Sequence, residues 1–396
     1  MPIPSPFHSR TAALCESQEW RNWSGYLAAA LYEPGHEREY YAIRNTAALI
    51  DISPLFKYEI RGPQAVTAVD RIMTRDISRC KVGQVLYSPW CDDDGKVIDD
   101  GTVARLSEQV FRITAAEPNL AWFQDCSFGL EAEVVDVSTE LAALALQGPN
   151  SRRILEDVFS GFFLEPLPYY HLRQGELVGI PLTVSRTGYT GDLGYELWVA
   201  RQHAEEVWDR LMERGRDFGI APVGILALDI ARIEAGLIML QVDYISARQA
   251  LIPAQKSSPY EIGLGWAVDL KKSHFIGRSA LLAEREKGST WKLVGVEVAW
   301  KSLEALYARF DLVPQLTGRA SRSPIPIYDD DLHIGQVTSH TFSPMLKKYI
   351  GIASVRTPYA VYGRRVQVEF TVEHMRLKAE AEIVRLPFFN PPRKRA

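Results

Sequence analysis

The chain has 396 residues, 24% of which are charged, and its formal net charge at neutral pH is −4. This length permits two or three domains, each with its own core. The acidic balance, with no basic cluster before Arg393, argues against nucleic acid or an anionic membrane as a partner. No apolar run reaches the roughly 18 residues that a membrane-spanning helix needs, so we expect no membrane association.

Cysteine and histidine positions give no sign of a metal centre. The four cysteines follow no CxxC or zinc-like spacing, and the eight histidines include no HxxxH pair. We therefore expect reduced thiols and no bound metal. The N-terminus lacks the charged start and apolar core of a secretory signal, which predicts a cytoplasmic protein.

The first elements are rich in aromatic residues. Residues 17–32 carry Trp20, Trp23 and Tyr26 and predict an arm or a short helix that ends at Pro34. A helix then leads into residues 49–53, a buried strand by composition.

Residues 56–136 alternate between strand and helix patterns and predict a small α/β unit. Within it, Asp99 and Asp100 open a strand after a turn. Adjacent strand residues point to opposite faces, so only one of the two can enter a given pocket. A buried carboxylate beside an amine can stabilise positive charge or relay a proton. An aspartate at a strand start also commonly satisfies backbone N–H groups, and the residues alone favour that structural role.

A glycine-rich turn between two strand-like runs is the most informative stretch, Arg186-Thr-Gly-Tyr-Thr-Gly-Asp-Leu-Gly-Tyr-Glu196. Glycine permits positive φ and close backbone approach. Tyr189 and Tyr195 supply flat faces, and Glu196 can accept two parallel N–H bonds from a planar heterocycle. The residues alone leave two interpretations equally open, a ligand-binding loop or a plain hairpin with a solvated Glu196.

The later elements are helices followed by short strands. Residues 204–215 place an apolar stripe on one face and end at a glycine, which predicts a packed helix. Residues 224–236 predict a second helix. After residue 275, short strands punctuated by proline and glycine predict a β-barrel.

The turn at 186–196 resembles the signature loop of the aminomethyltransferase family, the glycine-cleavage T-protein and its relatives. The segment Asp51-Ile-Ser53, the pair Arg232 and Glu234, and the passage at 275–281 match the same family. The resemblance covers about residues 20 to 390.

This resemblance implies an α+β, three-domain, ring-like fold with a central folate channel and a C-terminal β-barrel. The implied division is a discontinuous folate-binding α+β domain at 1–55 and 140–275, a small α/β domain at 56–139, and the barrel at 276–396.

The resemblance also implies roles for site residues. In the family the Glu that ends the loop grips the pterin ring of tetrahydrofolate, the one-carbon acceptor, and this role falls on Glu196. An Asp near N5 of the folate follows a pocket tyrosine by thirteen residues, and Tyr87 and Asp100 reproduce that spacing. We therefore predict Asp100 as the catalytic carboxylate, with Asp99 bracing the loop. Tyr189 and Arg232 complete the predicted cofactor-binding set.

Four residues, at three places in the chain, depart from the family pattern. Pro54-Leu55 stands where the T-protein carries His-Met near the one-carbon donor. Leu228 replaces an arginine, and Asn390 stands where an arginine meets the folate glutamate tail, so the sequence leaves the holding of that tail open. Arg385 and Arg393 are possible substitutes.

These departures bear on the donor. The segment at 241–262 is longer than in the T-protein and is closer to the branch with dimethylsulfoniopropionate demethylase and aromatic O-demethylases. We therefore favour methyl transfer from a small methylated donor to N5 of tetrahydrofolate. Glycine-cleavage aminomethyl transfer is the alternative, and a non-catalytic folate-binding protein is a third; a subunit related to the folate domain of sarcosine dehydrogenases is also open. Either a monomer or a homo-oligomer fits.

Overall fold

The computed structural model describes residues 1–159 and 167–395. The first elements are β1 Ile3–Pro4, α1 His8–Leu14, β2 Trp20–Trp23 and β3 Tyr26–Ala29, and the three strands form a sheet in the order β1-β3-β2. Of the two possibilities predicted for residues 17–32, an arm or a short helix, the short helix is therefore wrong. Ser24 and Gly25 both have positive φ, as a two-residue turn of type I′ requires, and Trp23 pairs with Tyr26 across it.

The next part of the chain enters the central sheet and then builds a second sheet. Its elements are α2 Glu37–Asn45, β4 Ala47–Asp51, β5 Phe56–Arg61, α3 Ala65–Ile72, β6 Val85–Cys91, β7 Val97–Ser107, β8 Val110–Ala115, α4 Leu120–Ser127 and β9 Glu133–Asp136. Strands β5 to β9 form an antiparallel five-stranded sheet in the order β6-β7-β8-β5-β9. Trp90, Phe111 and Phe123 fill the core between this sheet and its two helices.

The chain then returns to the central sheet. Its elements there are β10 Leu141–Gln147, α5 Ser151–Val158, β11 Leu172–Leu177, β12 Ile180–Ser185, β13 Gly194–Ala200, α6 Ala204–Gly215, β14 Ile220–Pro222 and α7 Ile225–Glu234. With β4 they form a six-stranded sheet in the order β11-β12-β13-β10-β4-β14. The predicted helix at 204–215 is confirmed, and Val207, Trp208 and Leu211 of its apolar face are buried in the core of this sheet.

The last elements form a closed barrel. They are α8 Arg278–Lys287, β15 Trp291–Val298, α9 Trp300–Ala308, β16 Ile325–Asp329, β17 Leu332–Ser343, β18 Lys348–Arg356, β19 Arg365–Val372 and β20 Met375–Val384. The strands close in the order β15-β18-β17-β16-β19-β20. The predicted α+β class and C-terminal β-barrel are confirmed. We keep 1–55 with 140–275, 56–139 and 276–396 as the proposed division into domains.

Within residues 1–159 and 167–395, no helix has the length and apolar character that a membrane span requires.

Candidate functional site

A cavity of about 1300 Å³ lies where the five-stranded sheet, the six-stranded sheet and the barrel meet. Four of the five predicted site residues line it: Tyr87, Asp100, Tyr189 and Glu196. Tyr87 and Asp100 come from the five-stranded sheet, and Glu196 comes from the six-stranded sheet. The fold thus brings together side chains that are up to 109 positions apart along the chain (196 − 87).

Glu196 faces the cavity from β13, between its neighbours β12 and β10. It lies opposite Ser185 on one side and Ala145 on the other. Thr187 donates its hydroxyl to Glu196 Oε2 at 2.7 Å, and the hydroxyls of Thr187 and Ser185 lie 2.8 Å apart. Burial raises the pKa of Glu196 to about 7, although the hydrogen bond from Thr187 opposes the shift. The carboxyl group therefore changes charge near neutral pH.

Gln147 shapes the glycine-rich loop from behind. Its amide nitrogen donates to the carbonyls of Thr187 and Tyr195, at 3.2 Å each. A Cβ atom at Gly188 or Gly194 would lie only 2.1 or 2.2 Å from Gln147 Oε1, so any larger residue would displace this amide. Gln147 was missed by the sequence analysis because its partners lie 40 and 48 positions away.

Positive φ is needed at one position of this loop. Gly191 has φ of +73°, whereas Gly188 and Gly194 are required for close approach instead. The Tyr189 ring lines the cavity, and its hydroxyl donates to the carbonyl of Ile238. Burial raises the pKa of Tyr189, so its phenol stays neutral.

Asp100 is held by two phenols. The hydroxyl of Tyr87 donates to its Oδ2, and the hydroxyl of Tyr244 donates to its Oδ1. Burial raises the pKa of Asp100, while the hydrogen bonds from Tyr244 and Tyr87 act to lower it. Tyr244 was missed by the sequence analysis, because nothing in its local pattern points to a residue 144 positions earlier.

Asp99 points away from the cavity and braces a turn. Its Oδ2 accepts hydrogen bonds from the backbone N–H groups of Ala116 and Glu117, both at 3.1 Å, and from Asn119 Nδ2 at 3.0 Å. The side chain is fully buried. Burial, and then the neighbouring charge of Asp100, raise the pKa of Asp99.

Arg232 is the one predicted cofactor-binding residue that does not line the cavity. It lies on α7, is fully buried, and bonds through Nε to Asp229 at 2.8 Å and through Nη1 to Asp243 at 2.6 Å. The prediction that it touches the cofactor does not fit this position. Asp229 does line the cavity and also pairs with Arg322 at 2.7 Å, so Arg232 supports the wall from behind.

Glu234, which with Arg232 matches the family pattern, also makes structural contacts. Its carboxylate accepts hydrogen bonds from Tyr40 and Ser343 at 2.5 Å each, and from both Nε and Nη2 of Arg44 at 2.9 and 2.5 Å. Ser343 belongs to the barrel, whereas Tyr40 and Arg44 belong to α2. Glu234, at the end of α7, therefore ties the barrel to α2.

Among the residues that depart from the family pattern, Leu55, Leu228 and Asn390 line the cavity, whereas Pro54 is not part of its lining. Arg385 and Arg393, the suggested substitutes for the family arginine, are not in the lining. Arg393 pairs with Asp192 at 2.6 Å, and the Arg385 guanidinium lies 4.9 Å from the ring centroid of Tyr362. Other cationic side chains that the sequence analysis missed do line it, namely Arg21, Arg75, Lys292, Arg322, Lys394 and Arg395.

The aromatic arm contributes one ring to the cavity. Trp23 lines it, whereas the Trp20 ring centroid lies 5.0 Å from that of His8, and Tyr26 is buried on β3. Tyr169, Tyr170 and Trp266 add further rings that the sequence analysis did not single out. Across the residues that the structure describes, no three His, Cys, Asp or Glu side chains are grouped to hold a metal ion.

Comparison with known proteins shows which family shares this architecture. The family model of the GCVT N-terminal domain matches residues 6–272, and that of the glycine cleavage T-protein C-terminal barrel domain matches residues 311–390. A protein of Halothermothrix orenii named aminomethyltransferase is 37% identical over 88% of this chain and 90% of its own length. An aminomethyltransferase of Desulforamulus reducens is 33% identical over 93% of each chain.

A solved structure supports the fold. The crystal structure of glycine cleavage system aminomethyltransferase T from Bartonella henselae aligns with a TM-score of 0.82, covering 98% of this chain and 99% of that one at 24% identity. Both family models and the two relatives lead to the same result, and the chain belongs to the glycine cleavage T-protein family.

Proposed function

We propose that this protein is a tetrahydrofolate-dependent one-carbon transferase whose reduced folate binds in the central cavity. The observation that carries the proposal is that Glu196 and Asp100, from two different sheets, face one cavity. Family membership supplies the reaction class, and the two carboxylates supply separate places for holding a planar ring and for acting on its amine.

The residues present fit a folate. Among the hydrogen bonds within the described residues, Glu196 accepts one, from Thr187, which leaves acceptor capacity for the paired N–H donors of a pterin ring. Neutral phenols at Tyr87 and Tyr189 offer flat faces beside it. Pockets for a single drug-sized ligand hold roughly 300–1,000 Å³, so this cavity has room for a folate and part of a donor.

The folate glutamate tail needs cations, and Leu228 and Asn390 cannot supply them. We propose that the cationic lining side chains take over this role, with Lys292 and Arg395 as the first to test. Arg322 is already paired with Asp229, so it is less free to bind a second carboxylate.

When bound, tetrahydrofolate supplies the nucleophilic amine that accepts the one-carbon unit. Asp100 then holds its carboxylate beside the site where positive charge develops and stabilises that charge. If a proton must leave or arrive, the same carboxylate can carry it, because burial has moved its pKa upward, toward the working range. Asp99, which faces the turn, has no access to this step.

For the donor we propose an aminomethyl group, as in the glycine-cleavage reaction. The relatives in Halothermothrix orenii and Desulforamulus reducens are both named aminomethyltransferase, and they match most of this chain. These comparisons favour the alternative from the sequence analysis over its first choice, a small methylated donor.

Methyl transfer remains a second candidate because of what lines the cavity. Leu55, at the place where the family pattern has His-Met, lines the wall, and Leu55 and Trp23 pack against the same core cluster. An apolar wall with an aromatic face suits a methyl ether or a methylated onium, the latter through a cation–π attraction of roughly 0.5 to 2 kcal/mol.

One experiment separates the two donors. The protein is incubated with tetrahydrofolate and either an aminomethylated lipoyl carrier or a panel of small methylated compounds, and the folates are identified by mass spectrometry. Aminomethyl transfer should give 5,10-methylene-tetrahydrofolate with release of ammonia, whereas methyl transfer should give 5-methyl-tetrahydrofolate. Asp100→Asn is the matched control, and product formation that persists at full rate in this variant would contradict the role of Asp100. Folate binding without product from any donor would favour a non-catalytic folate-binding protein.

A further inference from the structure

The two phenols on Asp100 come from different parts of the fold. Tyr87 lies on β6, in the same sheet as Asp100 on β7. Tyr244 lies in the segment that follows α7, outside that sheet, and is only 4% exposed. One oxygen of the carboxylate therefore accepts a hydrogen bond from its own sheet, and the other accepts one from the segment that follows α7.

Tyr244 is itself firmly placed. Its backbone carbonyl accepts a hydrogen bond from the N–H of Gln241 at 2.8 Å. Its neighbour Asp243 is gripped by Arg232 Nη1 at 2.6 Å and by the hydroxyl of Thr338 in the barrel at 2.5 Å. On the other side, Ile245 forms a parallel β-bridge with Lys256, so the phenol extends from a backbone segment that is fixed on both sides.

We propose that Tyr244 is a positioning residue that sets the orientation of the Asp100 carboxylate across the boundary between the five-stranded sheet and the central part of the chain. This inference rests on the function proposed for Asp100. With one O–H donor on each oxygen, the carboxylate cannot rotate without breaking a hydrogen bond, and its remaining lone pairs keep a fixed direction.

The groups around Asp100 favour its ionised form through hydrogen bonds alone. Burial raises the pKa of both Tyr87 and Tyr244, so each phenol remains a donor over the working pH range. Asp99 is the adjacent acid, and the charge of Asp100 helps to raise the pKa of the Tyr189 phenol. No cation bonds to Asp100 in the part of the chain described, so loss of either phenol removes a main support of the charge.

The test is a carboxyl titration of the folate-free protein. Carbon-13 NMR of aspartate-labelled protein follows Asp100, whose signal is identified by its loss in Asp100→Asn. Tyr244→Phe keeps the ring but removes one charge-assisted donor, and we expect the pKa of Asp100 to rise by about one unit or more. Tyr87→Phe should raise it similarly. Turnover of Tyr244→Phe should fall at least tenfold, with little change in folate affinity.

Tyr260 supplies the matched control. It lines the same cavity, but its hydroxyl has no hydrogen-bond partner within the described residues, so Tyr260→Phe should leave the Asp100 titration unchanged. An unchanged Asp100 pKa in Tyr244→Phe would overturn the inference. A raised pKa with undiminished turnover would leave the positioning role standing and would contradict the catalytic role proposed for Asp100.

Discussion

Asp99 and Asp100 are adjacent on β7, yet one carboxylate is bonded to backbone N–H groups of a turn and the other to two phenols beside the cavity. The alternation of side chains along a strand produces this division of labour. The two neighbours therefore form a natural pair for mutagenesis, since the same chemical change at each should have different consequences.

Asp100→Asn should lower turnover about 10²- to 10³-fold, because the variant removes a charge that acts on the transition state. Folate affinity should change little, since Glu196 holds the ring. Steady-state kinetics and calorimetric titration with tetrahydrofolate measure the two quantities.

Asp99→Asn should instead lower the free energy of unfolding by about 1 to 3 kcal/mol. The backbone N–H groups of Ala116 and Glu117 lose a carboxylate acceptor in a buried turn and keep only a weaker, neutral one. Chemical denaturation measures the loss, and turnover per folded molecule should be retained. Exchange of the two phenotypes would show that the residues have been assigned to the wrong faces.

Glu196→Gln should weaken folate binding by about 1.5 to 3 kcal/mol, because a charged acceptor is replaced by a neutral one of the same shape. In the wild type, affinity should increase as pH rises from 6 to 8, since the carboxyl group ionises with a pKa of about 7. Calorimetry over this range should show that pH dependence in the wild type and its loss in the variant. Equal affinities at pH 8 would contradict the assignment.

The same substitution should change the stability of the folate-free protein. The folded-state pKa of Glu196 is raised from its ordinary 4.5 to about 7, so its contribution to stability is full below pH 4.5 and is lost as pH rises through 7. Glu196→Gln carries no such ionisation. Melting temperatures should therefore favour the variant at pH 8 relative to pH 5, and a constant difference between the two proteins would argue against the shifted pKa.

His340 should make the barrel sensitive to acid. Burial lowers its pKa from 6.5 to about 4, and its ring nitrogens contact the Tyr349 hydroxyl at 2.6 Å and the carbonyl of Ser323 at 3.1 Å. The unfolded chain binds this proton first, so stability is lost as pH falls from 6.5 toward 4, by about 2 kcal/mol at pH 5. His340→Gln should reduce this loss in denaturation measured at pH 5 and pH 7.5.

Arg232→Met should destabilise the protein by about 3 to 5 kcal/mol, because it leaves Asp229 and Asp243 buried without their shared cation. Chemical denaturation checks the magnitude. Lys348→Met, at an exposed pair with Glu297, is the matched control and should cost less than about 1 kcal/mol.

Features that depend on local pattern or on family resemblance could be predicted from the sequence. Strand alternation separated Asp99 from Asp100, and the glycine-rich loop pointed to Glu196. The tryptophans of residues 17–32 predict an arm or a short helix, whereas the chain forms a hairpin there, and Ser24-Gly25 is the local signal for its tight turn.

The remaining errors concern contacts between distant segments. Whether Arg232 faces the cavity or its back depends on α7 being buried on nearly all sides, which periodicity does not reveal. Gln147 and Tyr244 act on partners that lie dozens of positions away, or more than a hundred, so no short motif marks them. A local pattern fixes which side of an element a residue occupies, but not what packs against that side.

Asp243 connects the barrel to the phenol that holds Asp100. Thr338 and Ser339 of β17 both donate to its Oδ1, while the next residue, Tyr244, donates to Asp100. A random mutagenesis screen for lost activity should therefore recover substitutions at Thr338 and Ser339, and proteins made from such clones would keep every cavity-lining side chain while their key carboxylate had lost its alignment.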